Sequence, residues 1–151
     1  MPVEPKALLA LLISPQGRIA RTAFWLGFLI VMVASTFVNA VPGGQILGLA
    51  LVWPQLAVHI KRLHDMGWSG WLLLLPIGTS VACLTLMVLT GGTPLLTASP
   101  AELAADLAKP ELRVPSICLE VSFAVEVAFL FWVGLTKGQP EANRFGPVPN
   151  G

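Results

Sequence analysis

The sequence predicts an all-α membrane protein with four transmembrane helices in an antiparallel up-down bundle and both termini in the cytoplasm. Hydrophobic residues make up 55% of the 151 residues, and charged residues make up only 11%, against about 25% in a typical soluble domain. The apolar residues fall into four long runs, separated by segments rich in proline, glycine and charge. From its length we predict a single integral membrane domain over residues 1–151.

The first apolar residues do not reach the length of a transmembrane helix. Residues 6–13 are long enough for about two turns of helix lying on the membrane surface, or for a frayed tail. No cleavable signal peptide is expected, because this run lacks a basic head and a small-x-small cleavage pattern. Residues 24–41 form the first predicted transmembrane helix, since a rise of about 1.5 Å per residue carries them across the hydrocarbon layer. The turn Pro42-Gly43-Gly44 ends this helix.

The remaining predicted transmembrane helices cover residues 45–60, 70–90 and 116–136. A kink is expected at Pro54 in the first of these, because proline removes a backbone hydrogen bond. These boundaries leave a cytoplasmic loop over residues 61–69.

An outer loop is predicted over residues 91–115. Within it, Ser99-Pro100-Ala101-Glu102 has the pattern of a capping box, which predicts a short helix to about residue 109. Leu103 and Leu107 fall on one face of that helix, so we expect it to be amphipathic.

The distribution of basic residues predicts the orientation. Lys109 and Arg113 fall on the side opposite the termini. The other seven of the nine basic residues share the side of the termini; they are Lys6, Arg18, Arg21, Lys61, Arg62, Lys137 and Arg144. Positive charge is retained in the cytoplasm, so this side is predicted to be cytoplasmic. In the alternative topology the segment 45–60 is re-entrant, which would place Lys61 and Arg62 outside.

Three motifs carry a resemblance to a known family. They are Gly17-Arg18-x-x-Arg21-x-x-Phe24-Trp25, Arg62-Leu63-His64-Asp65-x-Gly67-x-Ser69-Gly70-Trp71, and Gly138-x-Pro140-x-x-Asn143-Arg144-Phe145-Gly146-Pro147. In this order they resemble the bacterial inner-membrane family known as domain of unknown function 805, over residues 11 to 149. The resemblance implies a small multi-pass protein of the bacterial cytoplasmic membrane, and it implies no established activity.

All three motifs fall on the predicted cytoplasmic side, so we predict that they meet in one polar cluster. Its members are Arg18, Arg21, Arg62, His64, Asp65, Ser69, Asn143 and Arg144. In a structural interpretation, Asp65 pairs with arginines and holds helix ends together, while Asp65 or Ser69 caps the third helix. In a functional interpretation, the excess of arginine over aspartate binds an acidic lipid head group or an acidic partner segment.

Two other functions use different residues. A small transporter or channel subunit would use Glu126, which lies near mid-membrane, where an ionised carboxylate is costly. We expect Glu126 to be protonated, or bonded to a polar side chain such as Asn39 or Thr85 or to a backbone carbonyl freed by a proline. A membrane enzyme would use His64 as a general base oriented by Asp65. A metal site would use His59, His64 and Asp65 as ligands.

The favoured interpretation is a non-enzymatic membrane component without catalytic, cofactor-binding or metal-binding residues. Adjacent residues such as His64 and Asp65 rarely point at each other, and one intramembrane acid does not make a relay. The expected partners are membrane lipids, and a partner membrane protein or a second copy of the chain. No nucleic-acid partner is expected.

Overall fold

The computed structural model describes residues 5–149, without the side chains of residues 5–8 and of Gln45. The predicted contribution of Lys6 to the basic cytoplasmic side therefore lies outside the described side chains. Within the described residues the chain is helical, and β-structure is limited to an isolated bridge between Asn143 and Gly146. Four helical segments are long and apolar enough to cross a membrane. They are Arg21–Asn39, Ile46–Asp65, Gly70–Leu89 and Pro110–Leu135. These helices confirm the prediction of an all-α protein with four candidate spans.

The chain divides into two compact units, which are described separately. The first unit comprises Met1–Leu73 and Trp132–Gly151, and the second comprises Leu74–Phe131. The α-helices in chain order are α1 (Pro5–Ile13), α2 (Arg21–Asn39), α3 (Gly44–Asp65), α4 (Leu74–Leu89), α5 (Thr93–Thr97), α6 (Pro100–Asp106) and α7 (Arg113–Leu135). The up-down arrangement, the orientation of the termini and the single-domain organisation stay predictions.

Helix α3 is longer than the sequence predicted. It runs without interruption through Pro54 and ends at Asp65 rather than near residue 60. The connection to the next helical turn is therefore shorter than the predicted loop over residues 61–69. Gly67, with a φ of 84°, ends the helix, because its amide donates to the carbonyl of His64 and the following amide donates to the carbonyl of Leu63. This pair of bonds is the glycine-terminated helix end known as the Schellman motif.

In the second unit, α4 begins after a 3₁₀ turn at Gly70–Leu73. Pro76 therefore lies in the first turn of α4, where no helical partner is needed for its nitrogen. The predicted capping box is present at the start of α6, and Leu103 packs against an apolar cluster that contains Met87 and Cys118. Hydrogen bonds from Ser99 hold the pKa of Glu102 below its ordinary value. The position of α6 outside the membrane stays a prediction.

Helix α1 packs against α3. Lys61 Nζ donates to the carbonyls of Ala10 and Leu11 at 2.7 and 2.6 Å, and Trp53 Nε1 donates to the carbonyl of Ile13 at 2.8 Å. Trp53 lies twelve residues before the end of α3, which is about 18 Å along the helix axis. These bonds attach the end of α1 to α3, and the position of α1 relative to the membrane surface stays a prediction.

The replacement Lys61→Met tests this attachment of α1. The methionine keeps an unbranched apolar side chain but removes the two hydrogen bonds to the end of α1, and bonds from a charged donor contribute about 1.5–3 kcal/mol each. We expect amide hydrogen exchange in residues 9–13 to accelerate by about tenfold or more, measured by mass spectrometry in lipid nanodiscs. Lys109→Met is the control, because Lys109 is half exposed and pairs with Asp106 in the second unit. Exchange that is unchanged in Lys61→Met contradicts the proposed attachment.

Candidate functional site

The Asp65 carboxylate lies between two arginines at the end of α3. Its Oδ1 accepts from Arg18 Nε at 3.1 Å and from Arg18 Nη2 at 3.0 Å, and its Oδ2 accepts from Arg62 Nη1. The side chain of Asp65 is 5% exposed, and each arginine side chain is 1% exposed. A carboxylate is unfavourable at the C-terminus of a helix, where the helix dipole is negative. The two guanidinium groups offset both that effect and the loss of water.

Arg62 also binds the end of α7. Its Nε donates to the carbonyl of Val133 at 3.1 Å, and its Nη2 donates to the carbonyl of Thr136. The last carbonyls of a helix have no helical partner and carry a partial negative charge. Arg62 therefore caps α7 while it pairs with Asp65, and this is why a completely buried guanidinium is tolerated here.

Arg18 joins the same carboxylate to the C-terminal segment. Besides its two bonds to Asp65, it donates to the carbonyls of Gln139 and Glu141, each at 2.7 Å, and to that of Gly146 at 3.3 Å. These bonds use all five N–H groups of the guanidinium. The amide of Gln139 in turn donates to the carbonyl of Asp65 at 2.8 Å.

The third motif completes the contact through His64. Asn143 Nδ2 donates to the carbonyl of His64 at 2.9 Å. The rings of His64 and Phe145 stack with centroids 3.8 Å apart, and His64 Nδ1 lies 3.2 Å from the carbonyl of Gly17. A side chain at position 138 would bring its Cβ within 2.0 Å of Asp65 Oδ2, so the close approach of the tail requires glycine there.

The structure thus brings five of the eight candidate residues into direct contact, and it places the others apart from the carboxylate. The connected residues are Arg18, Arg62, His64, Asp65 and Asn143. Arg21 is exposed and donates to the carbonyl of Leu135 at 3.2 Å. Arg144 is exposed, with its guanidinium carbon 4.7 Å from the Phe145 ring centre.

Ser69 is the last candidate. Its Oγ accepts a hydrogen bond from the amide of Trp71 at 3.4 Å, in the 3₁₀ turn before α4. It therefore acts at the start of the third span, as one of the two expected caps. Asp65 does not cap that span, since its carboxylate oxygens bind arginines.

The contacts do not form the catalytic pair or the metal site considered from the sequence. Both carboxylate oxygens of Asp65 accept from guanidinium groups, while His64 stacks on Phe145 and contacts Gly17. A histidine oriented by this carboxylate would need a direct bond to it. His59 lies 2.8 Å from the carbonyl of Gln55 through its Nδ1. Across residues 5–149, no group of three or more His, Cys, Asp or Glu residues is arranged to hold a metal ion.

In the second unit, Glu126 has a hydroxyl partner that the sequence did not predict. Ser80 Oγ donates to Glu126 Oε1 at 3.0 Å, and Ser122 Oγ lies 3.5 Å from Ser80 Oγ. The expected partners, Asn39 and Thr85, bond instead to backbone carbonyls four residues earlier in their own helices. The bond to Ser80 agrees with the expectation of a polar side-chain partner, but neither of the two residues named as examples is that partner, because short polar side chains in helices can bond to their own backbone.

Comparison with known proteins identifies relatives without a described activity. A family model described as "Protein of unknown function (DUF805)" matches residues 12–147. The uncharacterized protein YiiR of Escherichia coli K12 is 34% identical over 67 residues, which cover 39% of this chain and 46% of YiiR. YiiR of Escherichia coli O157:H7 gives the same values. The chain thus spans less than half the length of these curated relatives. No solved structure matches the chain.

Asp65→Asn tests the role of the shared carboxylate. The substitution keeps the shape of the side chain but leaves two buried guanidinium groups without their counter-charge. Breaking a buried ion pair costs about 3–5 kcal/mol, so we expect a loss of that size in the free energy of unfolding, measured by steric trapping in bicelles. Asp106→Asn is the matched control, because Asp106 pairs with Lys109, whose side chain is 51% exposed. Equal effects of the two substitutions would contradict this role.

Proposed function

The chain belongs to the DUF805 family of proteins of unknown function, and we propose that it is a non-enzymatic component of the bacterial cytoplasmic membrane that binds acidic lipid head groups. The binding surface is the basic rim, which we define as Arg21, Lys137 and Arg144. A partner protein with an acidic segment is the alternative occupant of the same surface.

The observation that supports the proposal is the division of the cations into two groups. Arg18 and Arg62 are buried, share Asp65 and have their remaining bonds on backbone carbonyls. They are therefore not available to a ligand. The members of the basic rim are exposed, and none of them pairs with a carboxylate among residues 5–149.

The position of the basic rim supports a lipid ligand. Arg21 begins α2 and bonds to the last residue of α7, so it lies where two apolar spans end. Lys137 follows Thr136, whose carbonyl binds Arg62. Cations at the cytoplasmic ends of membrane helices attract acidic head groups, and the excess of basic residues on this side supports a cytoplasmic placement.

A groove beside Arg21 offers space for a head group. It has a volume of about 240 Å³, and its lining includes Arg21, Arg62, Asp65, Pro140 and Val148. Arg62 and Asp65 are bonded to each other there. Arg21 uses one of its nitrogens for the carbonyl of Leu135. A lipid phosphate would meet the other nitrogens, with the apolar wall of the groove against its glycerol.

The alternative of a small transporter or channel subunit depends on Glu126 and has less support. Glu126 bonds to Ser80, and Ser122 extends the contact. These are two hydroxyls and one carboxyl, and a proton or ion path across a membrane uses several aligned ionisable groups.

The proposal is tested by removing two charges from the basic rim. Each basic residue near an acidic membrane surface contributes about 1 kcal/mol, or about fivefold in affinity. In Arg21→Gln/Arg144→Gln we therefore expect the affinity for phosphatidylglycerol to fall by about 25-fold, measured by native mass spectrometry with titrated lipid. The matched control is Lys109→Gln/Arg113→Gln, which removes two basic residues that the sequence assigns to the opposite side.

The wild-type affinity should also weaken as salt is raised, since the rim is exposed. Equal losses in both double variants, or no loss in either, contradict the proposal. Loss of a co-purified protein with unchanged lipid binding would instead favour the partner-protein alternative.

A further inference from the structure

The first unit contains a groove between α2 and α3 that combines apolar walls with two unpaired polar side chains. The groove has a volume of about 280 Å³, and Phe28, Val31 and Leu51 contribute to its apolar walls. Ser35 and Gln55 also line it. Both residues belong to helices that are long and apolar enough to span a membrane.

Neither polar side chain has a hydrogen-bond partner among the described groups of the first unit. The backbone carbonyl of Gln55 contacts His59, and the backbone carbonyl of Ser35 accepts from Asn39. The side-chain amide of Gln55 and the hydroxyl of Ser35, both half-buried, make no such bond to another described side chain or backbone group of the first unit. In hydrocarbon, a polar group without a partner is costly, so such groups are usually paired between helices.

The depth of Gln55 determines which partner can reach it. Gln55 lies ten residues before the end of α3 and eleven after its start, which is about 15 Å from either end. The hydrocarbon layer is about 30 Å thick, so Gln55 lies near its centre. Lipid head groups do not reach this depth, and acyl chains have no hydrogen-bonding groups. The partner must therefore be a polypeptide that crosses the membrane.

We infer that this groove is the contact surface of a homodimer in which the Gln55 side chains of two copies pair. A carboxamide has both donors and an acceptor, so it is complementary to itself. A two-fold axis along the membrane normal places both copies of Gln55 at the same depth. Exposed Met32 and Val52 flank the amide and pack against the second copy. This interface is independent of the proposed lipid binding.

Disulfide cross-linking in native membranes tests the interface. Gln55→Cys is introduced into a Cys83→Ala/Cys118→Ala background, and oxidation is expected to give a covalent dimer on a non-reducing gel. Ala50→Cys in the same background is the matched control. Ala50 is exposed on the same helix and lies about 140° around it from Gln55. Cross-linking equal to that of Ala50→Cys, or a cross-link to a different protein, overturns the inference.

A second measurement keeps the native cysteines. An interhelical side-chain hydrogen bond in a membrane raises the association constant of two helices by about threefold to twentyfold. Gln55→Leu, which suits an apolar helix, is therefore expected to lower the dimer association constant by that factor in vesicles, measured by single-molecule photobleaching. Gln55→Asn keeps a carboxamide and should retain most of the association. An unchanged constant in Gln55→Leu, with helicity preserved by circular dichroism, overturns the inference.

Discussion

The first unit depends on one carboxylate that two buried arginines share. Asp65 accepts from Arg18, which precedes α2, and from Arg62, one turn earlier in α3. A buried triad with two positive charges and one negative charge is expensive unless its remaining charge is balanced. Backbone carbonyls provide that balance, at the end of α7 for Arg62 and in the C-terminal segment for Arg18. The same bonds therefore satisfy the cations and join three separated segments of the chain.

The bonds of Arg18 and Arg62 determine which cations remain available to an acidic ligand. A guanidinium whose N–H groups are all bonded to its own chain is part of the fold, however basic the sequence around it is. Arg18 meets that condition, and Arg62 is completely buried with four bonds. The surplus charge is consequently available only at the exposed residues around the triad. The buried arginines therefore stabilise the fold, and lipid binding is proposed for the exposed basic rim.

The sequence predicts the four long apolar helices, because long apolar runs bounded by proline, glycine and charge are strong signals of such helices. It places the end of α3 too early, since the polar residues from Lys61 onward predict a loop over 61–69, whereas α3 continues to Asp65. The glycine at position 67 was the better end signal, because only its positive φ closes the helix.

Other features of the fold depend on contacts between residues far apart in the sequence, which a local sequence pattern does not indicate. The predicted topology assigns the three motifs to one side. The sequence does not tell which arginines are buried, since their main partners are backbone carbonyls from distant segments. The attachment of α1 by Lys61 and the bond of Ser80 to Glu126 are likewise contacts between distant segments, so the sequence does not predict them.

The meeting of the central motif with the C-terminal segment is tested most directly by a cysteine pair at His64 and Phe145, whose rings stack in the structure. In a Cys83→Ala/Cys118→Ala background, mild oxidation in native membranes should give an intramolecular disulfide, detected as a gel shift that a reductant reverses. We expect most of the protein to cross-link in this way. Two thiols that both react with maleimide but form no intramolecular disulfide would contradict it.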